Sequence, residues 1–186
     1  MEQDNKKYTG KLFSNTDLKL LIVPLIIEQF LAIAVGMSDT VMVSFAGEAA
    51  VSGVSLVDMV NNVLISLLAA LATGGAVVIS QFIGARKNDD ACTAAAQLEL
   101  MTFSVSVIIS ILVIIFAHPL ISMLFGNIDN EVFEASKQYL TITAISFPML
   151  AIYNSGAAIY RSIGDSKTSM KVSILMNIIN VVGNSI

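Results

Sequence analysis

Residues 24–45 read PLIIEQFLAIAVGMSDTVMVSF, an apolar run whose only charges are Glu28 and Asp39. About twenty apolar residues suffice for a helix to cross the roughly 30 Å hydrocarbon core of a bilayer. A carboxylate inside such a helix costs about 2.5–3.5 kcal/mol at the bilayer centre, so it turns toward protein or water and serves a purpose there. The segment therefore decides two things together. It is a membrane helix, and its acids are candidate functional groups.

The rest of the chain follows the same pattern. Of 186 residues, 55% are hydrophobic and 13% charged, with a mean hydropathy of +0.79, whereas soluble domains are about a quarter charged. Five stretches have helix-spanning character, at about 17–45, 51–82, 91–117, 132–159 and 167–186. Backbone polar groups in lipid must be satisfied internally, which leaves helices or closed barrels. No alternating ten-residue strand pattern supports a barrel. The expected fold is an all-α polytopic membrane protein, with five transmembrane helices of a six-helix bundle. Polar residues precede the first run, and no small-residue cleavage site follows it closely, so it reads as a retained helix rather than a signal peptide. Pro24 marks the expected place for a kink. The final segment, NIINVVGNSI, is still apolar with no polar flank, which leads us to expect the front part of a longer transporter-sized bundle.

Charge sorts by side. Lys6, Lys7, Lys11, Lys19, Arg86, Lys87, Arg161, Lys167 and Lys171 fall on one side of alternating helices, and only Lys137 on the other. The positive-inside rule then makes the N-terminus cytoplasmic in a cell-type membrane. The net charge of −4 is sorted by position, so it implies neither nucleic acid nor any other polyionic partner. Cys92 is the sole cysteine and has no zinc-ligand spacing around it. His118 precedes Pro119 at the end of an apolar run and reads as a helix-end residue rather than a base.

Several polar residues share helix faces. Glu28 and Asp39 are eleven residues apart, just over three turns, which puts them on nearly one face and roughly 16 Å apart along the axis. Ser173, Asn177, Asn180 and Asn184 form a stripe at spacings of four, three and four, and Ser55, Asp58, Asn62 and Ser66 form a similar row at three, four and four, with Asn61 alongside. Asparagine offers both an acceptor and a donor, and so can line an ion site or hold a carboxylate. The competing reading is helix-to-helix glue, at about 0.6 kcal/mol per contact. Ala69, Ala70, Ala72, Gly74, Gly75 and Ala76 read as a packing surface, and Tyr153, Asn154 and Ser155 as further polar groups near the helix-bending Pro148. Gln97 and Glu99, near the start of the third helix, are expected at the interface in structural roles. No phosphate-binding loop with its lysine is present, no serine has a suitable histidine, and Glu28 and Asp39 are too far apart for an aspartyl-protease pair. The expectation is a protein that is not an enzyme and needs no cofactor.

The segments PLIIE, SDTVMVSFAG, ISQFIGARKNDDA, HPLISMLFGNIDNEVFEASKQYL and YRSIGDSKTSM together resemble the multidrug and toxic compound extrusion (MATE) family of cation antiporters, in the right order over nearly the whole chain. The resemblance implies about twelve helices in two six-helix bundles, exporting amphipathic, often cationic compounds in exchange for Na⁺ or H⁺. It also implies a first-bundle ion site at Asp39 with Asn154 and Asn180. At the position of Asn184 many relatives carry a second carboxylate, so the coupling ion stays open. Glu28, Asp58, Asn62 and Asn177 are the further cavity-lining candidates, and the partners implied are the bilayer, a small cationic substrate and the remaining half of the transporter. Two other readings stand beside this one. A lipid-linked sugar flippase or polysaccharide exporter of the same superfamily would call for basic residues in its cavity to meet phosphates. A non-transporting truncated remnant would show no ion-dependent uptake.

Overall fold

A computed structural model describes residues 15–184 of the chain, all of it helices and short turns. The order is α1 (Asn15–Ser44), α2 (Glu48–Gly84), α3 (Asn88–Ile115), α4 (Ala117–Phe125), α5 (Asn130–Ser162) and α6 (Ser166–Asn184). Four of these, α1, α2, α3 and α5, are long and apolar enough to cross a membrane. Lys167, Thr168, Ser169, Lys171 and the Ser173–Asn177–Asn180 stripe dilute the apolar content of the 19-residue α6, the stretch expected as a fifth span. The link expected between the third and fourth spans holds an additional nine-residue helix, α4. Helix assignment runs unbroken through Pro24 in α1 and Pro148 in α5.

Cross-helix pairs establish the topology. Along α2 and α5, Gly53 meets Ser136, Asp58 meets Tyr139 and Asn61 meets Thr143, so these helices run parallel. Along α3 and α5, Ser110 meets Ala144 and Glu99 meets Ser155, so that pair is antiparallel. Helices α2, α3 and α5 form the tightly packed body, with α4 against α5, whereas α1 packs chiefly on α6. The main core includes Val57, Leu68, Val113, Ile121, Leu140, Ala144 and Phe147, and a smaller cluster holds Ile79, Ala91 and Leu98. Large apolar side chains such as Phe30, Met59, Leu100 and Met149 point outward, the arrangement expected where the surrounding solvent is lipid. Lipid supplies no hydrophobic drive for helices to associate, so small residues and hydroxyls mediate contact. Thr102, Ser106 and Ser110 are buried at four-residue spacing on α3, and Ser110 Oγ donates to the Ala144 carbonyl at 2.5 Å.

One glycine sets the closest approach. A Cβ at Gly53 would lie 2.9 Å from the backbone nitrogen of Ser136 and 3.0 Å from Ala135 Cβ. Backbone cannot rotate aside, so Gly53→Ala is expected to separate α2 from α5 at a cost of about 1–3 kcal/mol. At Gly75 the obstacle is the flexible Leu98 side chain, so Gly75→Ala is expected to cost less. Thermal unfolding of the two variants in detergent checks that order, and equal losses would contradict it.

The turns explain the motif-like connections. After α5, Gly164 has φ +84 and its N–H donates to Arg161 O at 3.1 Å, while Asp165 N–H donates to Tyr160 O at 2.9 Å. This is the Schellman pattern, with glycine in the left-handed position. Asp165 then caps α6: its carboxylate accepts the Thr168 N–H at 3.1 Å and the Thr168 hydroxyl at 2.6 Å. Those bonds from Thr168, the hydroxyl first, hold the Asp165 carboxyl below its ordinary value of 3.8. A depressed carboxylate contributes stability that is present above the ordinary carboxylate range and lost as pH falls through the folded-state value. Asp165→Ala is therefore expected to speed amide exchange at Lys167 and Thr168 near neutral pH, and the difference from wild type should shrink in strong acid. The α2–α3 turn uses the same geometry without glycine, with Arg86 at φ 58.

Candidate ion-binding cavity

Helix α1 brings Asp39, with Gly36 and Thr40, to a cavity of about 490 Å³. The opposite walls come from α2, through Ser55, Asp58, Asn61 and Asn62, and from α5, through Tyr139, Thr143 and Ser146. That volume lies within the usual range for small-ligand sites. Three- and four-residue spacing puts the α2 groups on one face, and parallel packing against α5 aligns them with Tyr139 and Thr143. Tyr139 Oη donates to Asp58 Oδ1 at 3.1 Å, and Thr143 Oγ1 approaches Asn61 Oδ1 at 3.4 Å. Asn61 is only 6% exposed. No lysine, arginine or histidine lines the cavity among the described residues, so the electrostatics favour a cation.

A second polar cluster sits farther along the same helices. Glu28, half-buried on α1, accepts Tyr153 Oη at 3.1 Å and Ser169 Oγ at 3.1 Å. It also faces Arg161 Nη1 at 3.7 Å, with side-chain exposures of 12% for Glu28 and 33% for Arg161. This cluster joins α1 to α5 and α6. Glu99 forms a third polar contact, accepting the hydroxyl of buried Ser155 at 2.7 Å. It lies eleven residues into α3, or roughly 16 Å from the helix start. The bond to Ser155 ties α3 to α5, in keeping with the structural role expected of Glu99 from sequence.

The structure brings Asp39, Asp58 and Asn62 together in one cavity. Asn154, half-buried on α5, and Asn180, exposed on α6, are not among its lining residues. Asn177 lies in a separate apolar groove between α1 and α6, with its amide nitrogen buried and without a hydrogen-bond partner. The Asn184 side chain falls outside the described residues. Sequence reasoning did not single out Tyr139 or Thr143. Their signal is a stripe on α5 at 139, 143, 146, 150 and 153, with steps of four, three, four and three. Among the described residues no group of three or more His, Cys, Asp or Glu could hold a metal ion, and the carboxylate, amide and hydroxyl oxygens of the cavity suit a proton or an alkali cation better. His118 sits on α4 edge-on to Phe133, with ring centroids 4.9 Å apart.

An all-helical body with four helices long and apolar enough to cross a membrane, and an acid-lined cavity between its first, second and fifth helices, defines a polytopic membrane protein. The MatE family model matches residues 24–186, and the chain belongs to that family. It is 33% identical over 180 residues to "Uncharacterized transporter YisQ" of Bacillus subtilis, covering 96% of this chain and 38% of that protein. It is 29% identical to "Probable multidrug resistance protein NorM" of Thermotoga maritima, covering 89% of this chain and 35% of that one. Among solved structures, a multidrug resistance MATE family transporter of the MOP superfamily in its outward-facing conformation superposes with a TM-score of 0.76 at 25% identity, over 90% of this chain and 37% of that one. A MATE structure in the bent conformation superposes with a TM-score of 0.80 at 24% identity, covering 89% and 36%. The chain thus spans little more than a third of the length of the relatives it matches.

Proposed function

We propose that this chain supplies the first-bundle ion site of a secondary active transporter that exports amphipathic, cationic small molecules in exchange for Na⁺ or H⁺. The observation that carries this reading is Asp39, a carboxylate in a membrane helix, lining a cavity with no basic group among the described residues. A cation or proton reaching that cavity neutralises Asp39 and changes which arrangement of helices is favoured. A ligand can shift such an equilibrium only by its differential affinity for the two states. The packing supports a moving part, because α1 and α6 form one pair and α2, α3 and α5 form another body, with the cavity between α1 and the latter. In this reading the N-terminus is cytoplasmic, Asp39 lies in the outer half of a cell membrane and Glu28 in the inner half. Asn154, Asn180 and Asn184 are the further coupling residues, reached in a different arrangement of the same helices. The flippase alternative calls for a cationic cavity, and the acidic lining weighs against it. The test uses the protein at its natural length in proteoliposomes. An imposed Na⁺ or H⁺ gradient is expected to drive movement of a fluorescent organic cation, and no movement under either gradient would overturn the reading.

A further inference from the structure

Asp39 and Asp58 face one cavity from different helices. Asp58 is positioned: Tyr139, on the opposing α5, donates its hydroxyl to Asp58 Oδ1 at 3.1 Å. Asn61, buried beside them, presents its Oδ1 to Thr143. The titratable groups lining the cavity are Asp39 from α1, Asp58 from α2 and Tyr139 from α5, and no cationic side chain among the described residues lines it. Two carboxylates facing one cavity disfavour each other's charge. One positive charge leaves a net negative site, and two bring it to neutrality. Amide and hydroxyl oxygens supply the remaining ligands that a hard monovalent cation requires.

We propose that Asp58 is a second charge-binding residue of the Asp39 cavity, held in place by Tyr139, so that the cavity fills with two monovalent positive charges, sodium ions or protons, rather than one. The inference rests on the ion-coupled reading of the cavity and adds to it a stoichiometry and a residue. Asp39 is contributed by the loosely attached α1, whereas Asp58 and Tyr139 belong to the packed α2–α5 body. Filling the site therefore links the part expected to move to the part expected to stay.

The experiment measures export of a fluorescent cation by the natural-length protein against external Na⁺ at fixed pH, and against pH at fixed Na⁺. The Hill coefficient cannot exceed the number of sites, so wild type is expected to approach about 2 for the ion that couples, and Asp58→Asn about 1. Tyr139→Phe removes one hydrogen bond to the Asp58 carboxylate, and is expected to keep the steepness while moving the half-saturating cation concentration about tenfold. The move is upward where sodium couples, because its ligand is no longer held in place, and downward where protons couple, because the ionised carboxylate loses a donor. A merely structural Tyr139 would lower the amount of folded protein without moving that concentration. Unchanged steepness and half-saturation in Asp58→Asn would overturn the proposal. If Asp58→Asn does not give a monodisperse membrane protein, Tyr139→Phe decides alone, and an unmoved half-saturation there overturns it. The ion-coupled reading fails in a different way, through the absence of any cation dependence in wild type. In that event, binding of radioactive sodium to the purified protein, with Asp58→Asn showing the same number of bound ions as wild type, counts against Asp58 separately.

Discussion

Asp39→Asn is expected to abolish cation-coupled export while leaving the protein in the membrane at its normal level. Asparagine has nearly the shape of aspartate but no charge to neutralise, so the arrival of a cation no longer distinguishes one helix arrangement from another. Coupling free energies between sites are typically about 1–3 kcal/mol, or 5- to 150-fold. Export driven by the gradient should therefore fall by at least about tenfold, toward the background of cells lacking the protein. Folding should not suffer, since removing an ionised group from a membrane helix lowers the cost of placing that helix in lipid. The residues around Asp39 in the cavity, Asp58, Asn61, Asn62 and Tyr139, tolerate a neutral amide, which donates and accepts hydrogen bonds. Efflux of a fluorescent cation, paired with fluorescence-detected gel filtration of solubilised membranes, separates lost coupling from lost protein. Efflux equal to wild type would remove Asp39 from the mechanism.

Much of the fold was legible because membrane helices announce themselves by apolar length, and α1, α2, α3 and α5 each contain a run longer than a bilayer needs. Helix α4 was not legible: the break between α3 and α4 falls at Phe116, with no glycine or polar residue to mark it, and nine residues carry no spanning signal. The site was legible only in part, for a related reason. Asp39 stands out as a charge in lipid, and Asp58 and Asn62 stand out by their spacing on α2, so each could be picked out from its own helix. Tyr139 and Thr143 gain meaning only from the parallel packing of α2 on α5, which no local pattern encodes. Arg161 likewise read as a charge that orients the chain, whereas the structure pairs it with Glu28. Asn180 stood out in a polar stripe and Asn154 as a polar group near Pro148, but only the resemblance grouped them with Asp39, and neither lines the cavity that holds Asp39.

That pairing leads to the second large effect, in stability. Glu28→Leu is expected to destabilise the junction of α1 with α5 and α6 by about 1–3 kcal/mol. Removing one partner of a fully buried ion pair costs about 3–5 kcal/mol, but Arg161 is 33% exposed and recovers part of its hydration. The hydroxyls of Tyr153 and Ser169 lose their acceptor as well, and hydrogen bonds between membrane helices are worth about 0.6 kcal/mol on average. Glu28→Gln retains a carbonyl acceptor for one or both hydroxyls and loses only the charge, so its cost should be smaller. Glu28→Leu combined with Arg161→Leu should lose less than the sum of the single variants, because an unpaired guanidinium no longer remains at the junction. Thermal unfolding of the four proteins in detergent supplies the cycle. A coupling energy indistinguishable from zero would mean that Arg161 serves only as a surface charge and that hydroxyls alone hold α1 in place. A clear coupling would make Glu28 the fixed point of α1, about three turns from Asp39. Ion binding at the Asp39 end could then tilt the helix about an anchored end, rather than slide it as a whole.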